Sequence, residues 1–426
     1  MTELTYKHGV PQYTLEHFEK DFADRHLLHG VIAKWAKETP DKIAIIDAED
    51  GREYTYAEFD RTTTALALRL VEMGFGKGDF LATSLPFLPE HIFLEYACFK
   101  IGTIHAPLDL RLKGPEVIRS LGLIKAKGFA FLGKTPIADF SALGQAVQQN
   151  CDYVEHFIQF SPPDECIDGA ISAFTIAGEA KALGEAVMKD PEHPTLKKFV
   201  ELTSQVGEND GAQVIYTTGS TGFPKPALLT HRNITCQNLG LAGAFGMDHD
   251  PRMLVNLPPS HVGGQAEQLM TPFFHGGTAV VLHIFDAEKS LKAIQEFKVD
   301  SFGQIPALFA MQWRLPNYND YDRSSLKFAL YGGQQVSRQF LENLAAMCPR
   351  FGTGLGLTEM AGFVTYTPLD GTVDDIVAGI GFDMPMTPLS IRKPMKEDGS
   401  AGDELPRRRA GRNLFFRPAG FCFLCE

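Results

Sequence analysis

Apolar positions along this chain recur in two alternating rhythms. Phe59, Thr63, Leu66, Leu70 and Met73 step by four and three residues, which places them on one face of a helix, and Gly74 follows as a residue able to end it. The next runs predict a strand over 80–85, a helix over 90–99 and a strand over 103–108, the strand–helix–strand order of a parallel sheet. A second series predicts strands over 278–285, 301–305 and 328–332, interleaved with helices over 287–298, 307–314 and 338–347. Between the two series, residues 162–200 read as irregular, punctuated by Pro162, Pro163, Pro191 and Pro194. The expected fold class is therefore α/β, with two packed α/β subdomains over residues 1–195 and 196–385.

Composition narrows the functional classes. A chain of 426 residues is too long for one core, and 44% hydrophobic with 22% charged residues is the balance of a soluble globular protein. The net charge of -12 argues against a general nucleic-acid binder, which needs a surplus of Lys and Arg. No apolar run reaches the roughly eighteen residues of a membrane span, and the segment Met1–His8 lacks the apolar core of a signal peptide, so a cytoplasmic location is expected. The cysteines number seven, an odd count spread from Cys98 to Cys425, which suggests reduced thiols.

The densest chemistry lies in Tyr216-Thr217-Thr218-Gly219-Ser220-Thr221-Gly222-Phe223-Pro224-Lys225. Glycines let backbone N–H groups approach an anion, hydroxyls add donors and the lysine adds a charge, which together suit a polyphosphate. The spacing differs from the common G-x-x-x-x-G-K-[ST] loop, and Pro226–Thr230 reads as a second strand, so a hairpin and not a helix N-terminus would hold the phosphates.

Y-T-T-G-S-T-G-x-P-K followed by L-T-H-R-N resembles the signature of adenylate-forming enzymes, among them the acyl-CoA synthetases. Tyr54-Thr55-Tyr56 with Glu58, Gly76-Lys77-Gly78-Asp79, Lys100-Ile101-Gly102 and Pro107 recur upstream in the family's order. Downstream stand Leu257-Pro258-Pro259-Ser260-His261, Tyr331-Gly332-Gly333-Gln334 and Gly356-Leu357-Thr358-Glu359. The resemblance covers roughly residues 30 to 405. It implies that ATP, Mg²⁺ and CoA serve a reaction in which a carboxylic acid becomes an acyl-adenylate and then a thioester.

By the same resemblance, the loop Thr217, Thr218, Gly219, Ser220, Thr221, Gly222 and Lys225 would grip the outer phosphates. Thr217 and Glu359 would stand near Mg²⁺, and Thr358 near the α-phosphate. Gly332, Gly333 and Gln334 would lie against adenine and the carboxylate, with Leu355 and Gly356 beside the base. Leu355 replaces a tyrosine that usually stacks there, and Pro226 replaces a glycine. His261 would lie near the acyl carboxylate. No aspartate occurs between Pro258 and Gly264 to bind a substrate ammonium, so a fatty, aromatic or alicyclic acid is expected over an amino acid. A homodimer is compatible with the sequence.

After Asp398-Gly399 the chain leaves the family pattern. Residues 386–405 would begin a small β-barrel, but the expected strand, the Tyr-x-x-Gly-Asp motif and the mobile C-terminal domain with its catalytic lysine do not follow. Codons for Gly411–Phe421 read from their second base can encode A-E-I-C-F-S-G-P-Q-V-F, the expected strand, which suggests a frameshift between about Leu405 and Gly411. Residues 406–426 would then be an aberrant tail. An alternative function follows: a catalytically weak protein that binds a nucleotide or acyl-adenylate.

Overall fold

Thr55 starts the first long helix, Tyr56–Glu72, through a reciprocal cap. Its hydroxyl accepts from the Glu58 N–H at 3.1 Å, and the Glu58 carboxylate accepts from the Thr55 N–H at 2.9 Å. Phe59, Thr63 and Leu70 are buried along it, Met73 caps its end, and Gly74 turns the chain at φ +85°. The computed structural model describes residues 2–136, 138–218, 224–247, 249–390, 392–394 and 396–405. The expected tail 406–426 lies outside the described residues.

Two seven-stranded sheets organise the rest. The first runs, in spatial order, Pro224–Thr230, Gly211–Thr218, Ile104–Pro107, Phe80–Ser84, Gly128–Leu132, His156–Phe160 and Ala170–Ser172. The second runs Phe351–Thr353, Phe328–Tyr331, Ser301–Gln304, Arg252–Val255, Thr278–Val281, Ile43–Asp47 and Glu53–Thr55. Each sheet is parallel except for one antiparallel edge hairpin, Gly211–Thr230 in the first and Ile43–Thr55 in the second.

Helices fill the space between the sheets. Leu28–Glu38, Tyr56–Glu72, Pro89–Ile101, His231–Phe245 and Thr271–Phe274 share one aromatic core in which Phe59 meets Tyr96 at 4.9 Å and Phe273 at 5.4 Å between ring centres. Ile215 of the first sheet and Ile45 and Val281 of the second enter the same core. The outer faces are covered separately. Helices Ala287–Glu296, Pro306–Trp313 and Arg338–Met347 cover the second sheet, while Gly114–Ile124 and Ser141–Asn150 cover the first.

Four expectations are corrected. The division near residue 195 does not follow the sheets: the hairpin Gly211–Thr230 extends the first sheet and Ile43–Thr55 completes the second. Residues 162–200 are not irregular, because Ala173–Lys189 and Pro194–Ser204 are helices. Ile176, Ala180 and Val187 bury one stripe of the former, and Pro194 sits in the first turn of the latter, where its missing N–H costs nothing. The strand expected to reach 285 ends at Val281, since its neighbour ends at Val255, whose carbonyl takes the Leu282 N–H. Among the described residues of 386–405 no barrel strand forms, and only the bridges Met384–Thr387 and Arg392–Glu404 appear.

Among the described residues no helix is long and apolar enough to cross a membrane. The Tyr56 hydroxyl, fully buried, donates to the Gly277 carbonyl at 2.6 Å and ties this helix to the second sheet. Tyr56→Phe keeps the ring and strands that carbonyl, so the urea midpoint should fall by the equivalent of about 1 to 2 kcal/mol with an unchanged m-value. An unchanged midpoint would show that the bond adds nothing to stability.

Candidate active site

The hairpin that carries Lys225 is an edge element. Thr217 stands opposite Lys225 and Thr218 opposite Pro224, so the chain does return as a strand after the loop, and Pro226 lies in an edge strand, where proline is tolerated. Gly219, Ser220, Thr221 and Gly222 lie outside the described residues. The inner strand is held from both faces. Tyr216 Oη donates to the Ser120 carbonyl at 2.6 Å on one side, and Gln213 Nε2 donates to Glu95 Oε1 at 2.6 Å on the other.

Glu95 belongs to a closed polar cluster. His105 Nδ1 lies 3.2 Å from its Oε1, His91 and His105 face each other through Nε2 atoms 3.1 Å apart, and the Thr83 hydroxyl lies 2.9 and 3.0 Å from those nitrogens. Burial decides every protonation state here. Desolvation pushes Glu95 up to about 8, and it pulls His91 down to about 4 and His105 to about 3, so at neutral pH the three groups are largely uncharged.

A cleft of about 3280 Å³ opens where parallel strands of the second sheet end. Its walls follow the carboxyl ends of Arg252–Val255, Thr278–Val281, Ser301–Gln304, Phe328–Tyr331 and Phe351–Thr353, the usual ligand position in an open α/β sheet. Leu85, Pro86 and Leu108–Arg111 of the first sheet reach the same space. Gly332, Gly333 and Gln334 line it, and Gly333 turns there at φ +92°, which a side chain would strain. Leu355, Gly356 and Thr358 line it as well. The Leu355 N–H is fixed by the Thr365 hydroxyl at 2.8 Å.

His261 is exposed to this cleft, next to Asp109 and Arg111. Desolvation by the cleft walls lowers its pKa; Asp109 opposes the shift and Arg111 adds to it, so the ring is neutral at physiological pH. Arg111 grips Asp109 through Nε at 2.9 Å and Nη2 at 2.5 Å. Thr217, Lys225 and Glu359 are not among the lining residues, but strand Pro224–Thr230 packs against the turn Thr358–Met360 at the cleft's border. Glu359 is exposed, with no ion pair among the described residues. Its carboxylate and the Thr217 hydroxyl are hard oxygen donors of the kind that Mg²⁺ accepts while keeping several waters.

Several lining residues were not singled out from sequence. Asn256 and Gln268 exchange amide bonds, Asn256 Nδ2 donates to Gln304 Oε1 at 3.1 Å, and Gln304 Nε2 donates to Gln312 at 2.6 Å. This amide chain fixes the turn that leads to His261. Asp109 and Arg111 had a readable signal, since they directly follow the strand predicted over 103–108 and therefore stand at a sheet's ligand-facing end.

The model of a family described as AMP-binding enzyme matches residues 32–411. The chain belongs to this family. It is similar to a feruloyl-CoA synthase of Amycolatopsis sp, with 28% identity over 73% of this chain and 55% of that protein. It is also similar to the long-chain-fatty-acid–CoA ligase FadD13 of Mycobacterium tuberculosis, with 25% identity over 75% of this chain and 58% of that one. The chain thus spans little more than half the length of these relatives. In fold it matches the crystal structure of the N-terminal domain of FACL13 from Mycobacterium tuberculosis, with a TM-score of 0.69 and 22% identity over 88% of this chain and 86% of that one.

The Glu95 cluster predicts a pH dependence of stability. Between the ordinary value of 4.5 and about 8 the unfolded chain releases the Glu95 proton and the folded chain keeps it, so this group's contribution is full below 4.5 and lost as pH rises through 8. His91 and His105 act in the opposite sense and only below 6.5, where the unfolded rings take up protons that the folded ones refuse. From pH 6.5 to 8, Glu95→Gln should therefore gain stability relative to the wild type by up to about 2 kcal/mol, measured by urea unfolding. Parallel pH profiles for the two proteins would mean that Glu95 is ionised in the fold.

Proposed function

We propose that the cleft activates a carboxylic acid with ATP, forming an acyl-adenylate that CoA then converts to a thioester. The observation that carries this reading is the junction of the Lys225 hairpin with the turn Thr358–Met360, at the border of a cleft lined by Gly332, Gln334 and His261. A carboxylate oxygen would attack the α-phosphorus of ATP as the bond to pyrophosphate breaks. Thiol attack on the acyl carbonyl would then release AMP. Both steps bring anions together, so positioning and charge neutralisation matter more than proton transfer.

In this reading Lys225 and the loop hydroxyls of Thr217, Thr218, Ser220 and Thr221 hold the outer phosphates, and Thr358 meets the α-phosphate. Adenine lies against Gly332, Gly333, Leu355 and Gly356. Gln334 and the neutral imidazole of His261 face the acyl carboxylate. Thr217 and Glu359 would hold Mg²⁺, which would neutralise phosphate charge. The relatives named for feruloyl, fatty and indoleacetate substrates support an aromatic or fatty acid as the substrate class.

Lys225→Ala should weaken ATP binding by at least about tenfold, the worth of a charge-assisted contact, and leave AMP binding within about twofold. Calorimetric titration of both nucleotides measures this. Equal loss for ATP and AMP would place Lys225 at the nucleoside or reveal a folding defect, and would remove it from the phosphate site.

A further inference from the structure

Glu267 is the only ionisable side chain of Gly263–Met270, a π-helix, a geometry that is rare and concentrated at functional sites. It lines the same cleft as His261, Gly332 and Gln334 and keeps part of its surface open to it. Its carboxylate accepts the Phe363 N–H, and no lysine, arginine or histidine among the described residues neutralises it. The space around it is kept clear by two glycines. A Cβ at Gly362 would lie 2.6 Å from one carboxylate oxygen, and a Cβ at Gly263 would lie 3.6 Å from the other.

A carboxylate can accept about four hydrogen bonds, and only one is supplied here by the backbone. Burial pushes its pKa up to about 7, which shows how little the protein alone compensates the charge. An acid-binding cleft gains nothing from an uncompensated carboxylate next to the reacting one, because like charges repel. His261 stands at the entrance of the same segment and Glu267 lies more than a turn further along it, so Glu267 can meet the opposite end of the acid.

We propose that Glu267 is a specificity-determining residue: the cleft selects a carboxylic acid whose tail carries a hydroxyl or amino hydrogen-bond donor, and Glu267 accepts that donor. A plain hydrocarbon tail would bury the carboxylate oxygens without partners, and sites built to bond a polar substrate group reject analogues that lack it. The inference rests on the acyl-adenylate reading above and gives it a narrower substrate class.

The test is equilibrium binding of hydrolysis-resistant acyl-sulfamoyladenosines to the full chain by calorimetry. The acyl group is 3-phenylpropanoyl, either bare or with a hydroxyl or an aminomethyl group at the meta or para position. The wild type should bind at least one donor-bearing analogue at least about tenfold more tightly than the bare one, and the hydroxyl and aminomethyl arms show which donor is taken. Glu267→Leu should reduce that preference below about threefold. Glu267→Gln, which keeps the shape and an acceptor for the Phe363 N–H, should reduce it at least threefold in a protein of wild-type circular dichroism. Equal binding of bare and donor-bearing analogues by the wild type, or a preference that survives both substitutions, would overturn the role of Glu267 and leave adenylate binding standing. Binding of none of them would overturn the acyl-adenylate reading and this inference together.

Discussion

Strand Gly211–Thr218 is clamped from both faces of its sheet, and the position of the candidate phosphate loop depends on that clamp. Gln213 and Tyr216 are an odd number of residues apart, so their side chains leave the strand on opposite faces. One reaches Glu95 in the helix layer between the sheets, and the other reaches the Ser120 carbonyl on the outer layer. An edge hairpin is the least restrained part of a sheet. Polar anchors on both sides fix where Thr217 and Lys225 stand relative to the turn Thr358–Met360.

The second constraint is the common direction of the strands. Because the second sheet is parallel through Thr278–Val281, its strand ends converge on one side, and their loops supply His261, Gly332 with Gln334, and Thr358 from three separate stretches of sequence. The amide chain Gln268–Asn256–Gln304–Gln312 stiffens that convergence. Asn256, Gln268 and Gln304 each donate to the next buried amide or carbonyl, which offsets the desolvation penalty, while the Gln312 nitrogen at the end of the chain has no partner among the described residues.

Local features of this site could be read from the chain, and non-local ones could not. The glycine, hydroxyl and lysine content of Tyr216–Lys225 and the apolar run after it identified a hairpin without any tertiary information. The sheet that this hairpin joins depends on the pairing of Gln213 with His105, over a hundred residues apart, and no local pattern encodes it. Helix Ala173–Lys189 was hidden because alanine and glycine fill the positions between Ile176, Ala180 and Val187, which leaves a weak apolar stripe. Glu267 escaped notice for a related reason. A single charge in Gly263–Met270 looks like a solvent-facing residue until the fold turns it into the cleft.

The central claim is that one cleft joins the Lys225 hairpin, the Thr358–Glu359 turn and the Gly332–Gln334 loop around a nucleotide. A crystal structure of the chain with ATP and Mg²⁺ tests it most directly. The account predicts adenine density beside Gly332–Gln334 and Leu355, with the triphosphate running toward Lys225 and the metal between Thr217 and Glu359. Nucleotide density elsewhere on the molecule, or a triphosphate pointing away from Lys225, would contradict it.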